Sequence, residues 1–188
     1  CQHCRAEAQH RAAPGQLTNA EGHELIDQLT SYERPYPMLV LTGGDCFERP
    51  DLVDLIEYAV GKGLHVSISP SVTPLFTRER VKAVQDAGVS VMSMSLDGGS
   101  AETHDAFRGF PGTFDRTIEA CHMLNELGMR FQLNTVFTAK NIHEAPQMLK
   151  NAIDLGAFMF YTFMLVPTGR GQHLDMLTPH EREDVLHW

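Results

Sequence analysis

The chain is 188 residues long, with 43% hydrophobic and 21% charged residues and a formal net charge of -9. These values are typical of a globular domain with a sizeable core, and an acidic chain without a Lys/Arg cluster argues against nucleic acid or an acidic membrane as partner. No apolar run approaches the roughly 18 residues of a membrane span, and no basic-then-apolar leader begins the chain. We therefore expect a cytoplasmic protein with no membrane partner.

The chain begins with two cysteines, Cys1 and Cys4, that are separated by two residues. A tight turn brings two such thiols to the same side, so that they can ligate one metal centre. By itself the pair fits a zinc site, a redox dithiol, a disulfide or part of an iron–sulfur site. Cys46 and Cys121 are isolated, which does not indicate a disulfide framework and favours a reducing compartment.

The rest of the chain predicts helices that alternate with strands. Helices are indicated where a Ser, Thr, Asp or Asn precedes a periodic apolar pattern that ends at Gly or Pro. Short apolar runs between them indicate strands, and the first run has the composition of a strand buried on both faces. In chain order the elements are a helix from Thr18 or Asn19, strand 38–42, a helix capped by Asp51, strand 65–69, a helix capped by Thr77, strand 89–96, a helix capped by Thr113, strand 131–137, a helix capped by Asn141, strand 158–166 and a helix opened by Thr178.

The five predicted strands end roughly 27 to 41 residues apart, which is the spacing of right-handed βα units in a parallel sheet. A barrel of eight such units needs ~250 residues. The spacing alone therefore predicts either a partial barrel or a doubly wound sheet. No linker divides the chain into two domains.

Polar residues or glycines follow every predicted strand. Ligand sites of parallel α/β folds lie at the carboxyl ends of the strands, and five such ends at one mouth favour a pocket, although turn chemistry explains any one of them. Gly43 and Gly44 let a ligand approach bare backbone, and Asp45 beside them suits a cationic donor. The ends read Thr42-Gly43-Gly44-Asp45, Ser69-Pro70-Ser71, Ser95-Leu96-Asp97-Gly98-Gly99, Asn134-Thr135 and Val166-Pro167-Thr168-Gly169-Arg170-Gly171.

Taken in order, these motifs resemble the core of the radical S-adenosylmethionine (radical SAM) enzymes over nearly the whole chain. That family binds a [4Fe–4S] cluster through CxxxCxφC, where φ is usually aromatic; Cys1 and Cys4 match the last two ligands, with His3 at φ. The family then has a Gly-Gly-Glu type motif, a Ser-x-Asp-Gly motif and a His-Asp-x-x-Arg-Gly motif. The matching segments are Gly43-Gly44-Asp45, Ser95-Leu96-Asp97-Gly98 and His104-Asp105-Ala106-Phe107-Arg108-Gly109.

The resemblance implies an α/β fold, a partial (β/α)6-type TIM-like barrel with parallel strands that here lacks the first strand. The domain, residues 1–188, is then a radical SAM core truncated at the N-terminus and after the sixth barrel strand. The first cysteine of the triad is absent from the chain, Asp45 replaces the usual Glu and keeps its charge, and Cys46 stands where Pro is common. We therefore expect this chain alone to hold a cluster poorly and to be inactive.

The resemblance also implies a role for each motif. Cys1 and Cys4 are the implied cluster ligands. Asp45 is implied to receive the methionine ammonium of SAM, and Ser95 and Arg108 to contact its carboxylate or ribose, since the Arg fork suits a carboxylate. The implied SAM-binding residues are Gly43, Gly44, Asp45, Ser69, Ser95, Asp97, Arg108, Asn134, Leu165 and Val166.

Structural alternatives stay open for several of these residues. Asp97 alternatively holds the local turn through backbone hydrogen bonds, and Asn134 faces the pocket in only one of two strand registers. Leu165 and Val166 alternatively belong to the barrel core, and Gly169-Arg170-Gly171 is either a site for an anionic substrate group or an ordinary loop. The residues that we assign to the core rather than to the cofactor are Met92, Met94 and the run from Phe158 to Met164.

The implied activity is cleavage of SAM, with one electron from the cluster, to a 5′-deoxyadenosyl radical that abstracts hydrogen from the substrate. The motifs are most similar to the subgroup of haem- and haem d1-biosynthesis proteins and SPASM-type peptide maturases. The substrate is then a tetrapyrrole side chain or a peptide, and the electron donor a protein such as flavodoxin or ferredoxin. Two alternatives remain: a non-redox (β/α)-barrel lyase or isomerase, for which no Lys stands at a strand end, and a zinc-binding interaction module completed by His10 or His23.

Overall fold

A computed structural model describes residues 1–4, 8–9 and 13–188 of the chain. Within these residues the α-helices are α1 (Asn19–Thr30), α2 (Leu52–Gly61), α3 (Arg78–Asp86), α4 (Ala101–Arg108), α5 (Thr113–Glu126), α6 (Ala145–Asp154) and α7 (Pro179–His187). The strands are β1 (Leu39–Leu41), β2 (Val66–Ile68), β3 (Val91–Ser95), β4 (Phe131–Phe137) and β5 (Met159–Met164). In these ranges we find no helix with both the length and the apolar character that crossing a membrane requires.

The five strands form one parallel sheet in the order β1-β2-β3-β4-β5. This order leaves β1 and β5 as edges, so the described sheet is open. The predicted α/β fold with parallel strands of a partial barrel is therefore confirmed. Contacts between Cα atoms divide the chain into two compact units: unit 1 is Cys1–Ala8, Met94–His122 and Gln132–Trp188, and unit 2 is Gln9–Ser93 and Met123–Phe131.

Unit 2 is built around α2, which contacts α1, α3 and β2. Its face toward them is apolar at the spacing of a helix, with Leu55, Ile56 and Ala59 all buried. The prediction that β1 is buried on both faces is wrong, because Met38 and Val40 are 63% and 47% exposed. A run of apolar residues predicts a strand, but it does not say what covers each face.

Unit 1 contains β4 and β5, which pair in register from Gln132 opposite Met159 to Phe137 opposite Met164. The residues of β4 alternate between buried and half-buried, so one of its faces packs under helices and the other does not. A cluster of Phe137, Ala145, Met148 and Leu177 fills the packed side. Met94 of unit 1 and Met92 of unit 2, both in β3, are fully buried, as predicted.

The prediction that the whole run from Phe158 to Met164 belongs to the core is wrong. Met159, Tyr161 and Phe163 are 39%, 44% and 50% exposed. They occupy alternate positions of β5, so they lie on one face of the strand. Only the opposite face of β5 contributes to the core, through Phe160 and Met164.

Three of the six predicted helix starts have the expected caps, whereas Asp51, Asn141 and Thr113 do not act as caps. Thr18 and Thr178 form capping boxes, and Thr77 accepts a hydrogen bond from the third residue after it. Asp51 precedes α2 but makes no capping bond, because its carboxylate binds Arg49 and Asn19 instead. Asn141 likewise makes no capping bond.

Candidate functional site

The cysteine turn, residues Cys1–Cys4, lies in unit 1. Cys1 and Cys4 are half-buried and are not joined in a disulfide. The backbone N–H of Ala8 points at Sγ of Cys4 at 3.4 Å, a contact that stabilises a thiolate. Two accessible thiols on one tight turn are the donor set that iron–sulfur and zinc sites use, so these residues fit a metal centre.

The cysteine turn is attached to the end of α4. Nε2 of Gln2 donates to the carbonyl of Ala106 at 3.0 Å. The ring of His3 stacks on Phe107 with 4.6 Å between ring centroids. Nδ1 of His3 is buried without a hydrogen-bond partner among the described atoms, and burial holds the pKa of His3 below its usual value.

Asp97 and Arg108, which belong to two different sequence motifs, form an ion pair of 3.0 Å. The second carboxylate oxygen of Asp97 accepts from the backbone N–H of Val136 at 2.9 Å. The backbone of Asp97 is also held, because its N–H donates to Nδ1 of His104 and its carbonyl accepts from Nδ2 of Asn141. Asp97 therefore ties together the ends of β3 and β4.

Ser95 is the last residue of β3, and the hydrogen bond from Leu96 N to the carbonyl of Asn134 aligns it with β4. Asn134 lies on the half-buried face of β4, opposite Tyr161 of β5. Its Oδ1 accepts from Gln132 at 3.0 Å. This is the register in which Asn134 points away from the helix-packed side.

The two residues after β5 differ sharply in burial. Leu165 is 6% exposed, whereas Val166 is 69% exposed. Leu165 belongs to the interior of unit 1, in agreement with the core alternative for that residue. Val166 is not a core residue.

Unit 2 contains the other predicted SAM-binding residues. Gly43 has φ of +153°, in the region that favours glycine. The carbonyl of Gly44 accepts from the hydroxyl of Ser71 at 2.7 Å. Ser69 donates from its hydroxyl to the carbonyl of Ser93 at 3.3 Å.

Asp45 begins the short 3₁₀ helix Cys46–Glu48 and is nearly buried. Its Oδ1 accepts from the backbone N–H of Phe47 at 3.1 Å, and its Oδ2 accepts from the hydroxyl of Thr73 at 2.6 Å. The sequence did not suggest Thr73, because it lies in a loop 28 residues downstream. The only hint in the sequence was that Thr73 follows the polar residues at the end of the predicted strand 65–69.

Cys46 and Cys121 do not resemble the thiols of the cysteine turn. Both are buried, and burial raises the pKa of each thiol to about 12. Neutral buried thiols are poor nucleophiles and poor metal ligands. Cys46 and Cys121 are therefore poorer candidates for metal ligation than the two thiols of the cysteine turn.

The zinc alternative required a third ligand from a histidine. His10 lies outside the described residues. His23 hydrogen-bonds Asp54 at 2.8 Å and stacks on Tyr58. Across the described ranges there is no group of three or more His, Cys, Asp and Glu side chains that could hold a metal.

The profile of the Radical SAM superfamily matches residues 1–152, most of the chain. The chain belongs to the radical SAM superfamily. The superfamily uses SAM and a [4Fe–4S] cluster, which agrees with the two accessible thiols. Membership therefore favours radical SAM chemistry over a non-redox lyase or isomerase and over a zinc-binding interaction module.

Curated radical SAM relatives match the full length of the chain. The AdoMet-dependent heme synthase of Methanosarcina barkeri is 39% identical over 188 residues, 100% of this chain and 53% of the relative. That of Oleidesulfovibrio alaskensis is 42% identical over 190 residues, 100% of this chain and 48% of the relative. The chain thus spans about half the length of these relatives.

Lower identities connect the chain with the rest of the predicted subgroup. Pre-heme d1 synthase of Dinoroseobacter shibae is 29% identical, covering 91% of this chain and 41% of the relative. PqqA peptide cyclase of Bradyrhizobium diazoefficiens is 27% identical, covering 84% and 40%. The predicted resemblance to haem-biosynthesis proteins and peptide maturases is confirmed.

Solved radical SAM structures share the fold. Streptococcus suis SuiB bound to its precursor peptide SuiA superposes with a TM-score of 0.77 over 99% of this chain and 42% of SuiB, at 14% identity. At this identity the likeness concerns the fold alone. It agrees with the parallel strand order described above.

Proposed function

We propose that the chain is the core domain, residues 1–188, of a radical SAM enzyme that acts on a side chain of a tetrapyrrole. The observation that carries the proposal is the cysteine turn, with two accessible thiols on a chain that belongs to this superfamily. Identities of 39% and 42% to haem synthases, over the whole chain, support a tetrapyrrole rather than a peptide.

Cys1 and Cys4 would be thiolate ligands of the cluster, with a third cysteine four positions before Cys1 in the full protein. When bound, the reduced cluster supplies the electron that cleaves SAM to methionine and a 5′-deoxyadenosyl radical, which takes a hydrogen atom from the substrate. The N–H of Ala8 would hold Cys4 as a thiolate. The physiological electron donor would be a flavodoxin or a ferredoxin.

The contacts of the polar strand ends support a role for each of them. Arg108 would meet an anionic group of SAM, and Asp97 would hold the Arg108 guanidinium in place for it. Asp45 would receive the methionine ammonium, since a carboxylate has lone pairs beyond those that the donors from Phe47, Ser71 and Thr73 use. The remaining SAM contacts would come from Gly43, Gly44, Ser69, Ser95, Asn134 and Val166, with Leu165 packed in the core behind them.

The substrate would bind against the exposed face of β5. Tyr161 and Phe163 lie there with 6.3 Å between ring centroids and 24° between ring planes, and both are exposed. A flat aromatic macrocycle stacks well on such a pair. Arg170, exposed just after β5, would pair with a carboxylate side chain of the tetrapyrrole.

The test uses the full-length protein, reconstituted anaerobically with iron and sulfide and reduced with dithionite. We expect 5′-deoxyadenosine from SAM, with a rate that rises on addition of an iron porphyrin bearing propionate side chains and a matching mass change in the porphyrin. The Cys4→Ala variant should produce no 5′-deoxyadenosine. A reducible cluster that does not cleave SAM would refute the proposal.

Two further outcomes concern the alternatives. Stimulation by a peptide but not by the porphyrin would overturn the substrate assignment alone. Stoichiometric zinc without sulfide in the purified protein would instead support the interaction module.

A further inference from the structure

The loop that follows β5 contacts the cysteine turn. The backbone N–H of Arg170 donates to the carbonyl of Cys4 at 3.1 Å. Nη2 of the same residue reaches the carbonyl of Ala8 at 3.4 Å, a pair separated by 162 positions in the sequence. Arg170 therefore contacts the backbone at both Cys4 and Ala8.

Gly171 brings the same loop against the turn. It is buried, and a Cβ atom added there would lie 3.4 Å from Cα of His3 and 3.3 Å from Cδ1 of Leu165. Gly171 does not have a left-handed φ, so its backbone conformation does not call for glycine. An added Cβ would be tight against Leu165 and in van der Waals contact with His3, which limits the size of the side chain at this position. Because Leu165 is buried, it has little freedom to move aside.

The end of α4 also contacts the turn, through Gln2 on Ala106 and through the ring of His3 on Phe107. Both α4 and the loop after β5 therefore hold the turn. Metal ligands on a short turn keep their spacing only where the surrounding backbone holds it. This loop lies far from the turn in the sequence, so no local motif around Cys1 and Cys4 reveals it.

We propose that Arg170 and Gly171 are positioning residues for the cluster: the backbone N–H of Arg170 and the missing side chain of Gly171 fix the cysteine turn in its ligating geometry. The inference rests on the proposed function, in that Cys1 and Cys4 hold the cluster. It assigns to Gly169-Arg170-Gly171 a role that does not depend on the substrate.

The experiment compares variants of the full-length holoenzyme by a readout that needs no turnover. Iron and sulfide per chain are measured after reconstitution, and the decay of the cluster absorbance is followed anaerobically with EDTA. Gly171→Val should push on the turn, and Arg170→Pro should remove the N–H that binds Cys4. We expect cluster loss about fivefold to tenfold faster in both, which corresponds to the loss of one hydrogen bond or of close packing.

Two variants serve as controls. Arg170→Ala keeps the backbone N–H and should decay no more than about twofold faster than wild type, since it loses only the long contact to Ala8. Gly61→Val makes the same change at a glycine with nothing within 4 Å of its added Cβ and an ordinary φ, and should match wild type. Melting temperature and circular dichroism identify any variant that fails to fold, in which case Gly171→Ala, with a smaller added group, replaces Gly171→Val.

The outcomes separate the two proposals. A wild-type protein that takes up no cluster refutes the proposed function. A wild-type protein with a stable cluster, and folded Gly171→Val and Arg170→Pro variants that retain it equally well, overturns the positioning role alone.

Discussion

Nη1 of Arg108 lies 3.0 Å from Oδ2 of Asp97, and the two side chains are 16% and 2% exposed. The pair joins α4 to the end of β3. Removing one partner of a buried ion pair leaves the other charge without compensation, and this costs more than the pair itself contributes.

Asp97→Ala should therefore lower the free energy of unfolding by roughly 3 kcal/mol, measured by urea denaturation. The matched control is Asp86→Ala, which removes the same group from an exposed pair with Lys82 and should cost at most about 1 kcal/mol. Equal losses in the two variants would contradict the prediction.

A second prediction concerns Asn141, which is fully buried. Its Oδ1 accepts from the backbone N–H of Thr138 at 2.8 Å, and its Nδ2 donates to the carbonyls of Asp97 and Val136, each at 2.9 Å. Asn141→Ala leaves these groups buried without partners, so we expect a loss of about 2–3 kcal/mol in urea denaturation.

Asn151 provides the comparison for Asn141. It is half-buried, and its Nδ2 donates to the carbonyl of Gly99 at 3.0 Å. Asn151→Ala should cost only about 1 kcal/mol, because water can reach the groups that it leaves. A smaller loss for Asn141→Ala than for Asn151→Ala would refute the assignment of Asn141 as the tie between the strand ends.

The sequence predicted those features of the fold and site that depend on residues close together in the chain, and missed those that depend on residues far apart. The predicted strand 131–137 coincides with β4, because its alternation of apolar and polar residues is a local pattern. The capping boxes at Thr18 and Thr178 were likewise local. Asn141 has the residue type and position of a cap, yet its side chain bonds the ends of two strands instead.

The start of α5 shows the same limit. Thr113 was the predicted cap, but it is the first residue of the helix, and the carboxylate of Asp105 accepts from the N–H of Phe114 at 2.8 Å. Asp105 comes from the preceding helix, so tertiary contacts decide which side chain caps. The exposed face of β5 was missed for a related reason, because apolar composition indicates a strand but not what covers it.

The four cysteines should differ in their reaction with iodoacetamide. In the metal-free, reduced protein at pH 8, Cys1 and Cys4 should be alkylated quickly, since both are accessible. Cys46 and Cys121 should stay unmodified until the protein unfolds, because burial blocks the reagent and raises the pKa of each thiol to about 12.

Mass spectrometry of the quenched digest gives the labelled fraction at each site. In the Cys4→Ser variant the fast phase should fall by half. Rapid labelling of Cys46 in the folded protein would contradict the prediction that burial keeps this thiol unreactive.

His104 should make the stability of the protein depend on pH. Burial lowers its pKa to about 4, so below pH ~6.5 the unfolded chain binds a proton that the folded chain does not. The contribution of neutral His104 to the free energy of unfolding is therefore fully present above pH 6.5 and is lost as the pH falls, by about 3 kcal/mol at pH 4.

Urea denaturation between pH 7 and pH 5 measures this pH dependence in a range where most carboxylates do not titrate. His104→Asn keeps an acceptor for the Asp97 N–H and should reduce the slope of the free energy of unfolding against pH. A smaller slope in the same direction should remain from His3, because burial lowers its pKa as well. An unchanged slope in His104→Asn would contradict the assignment.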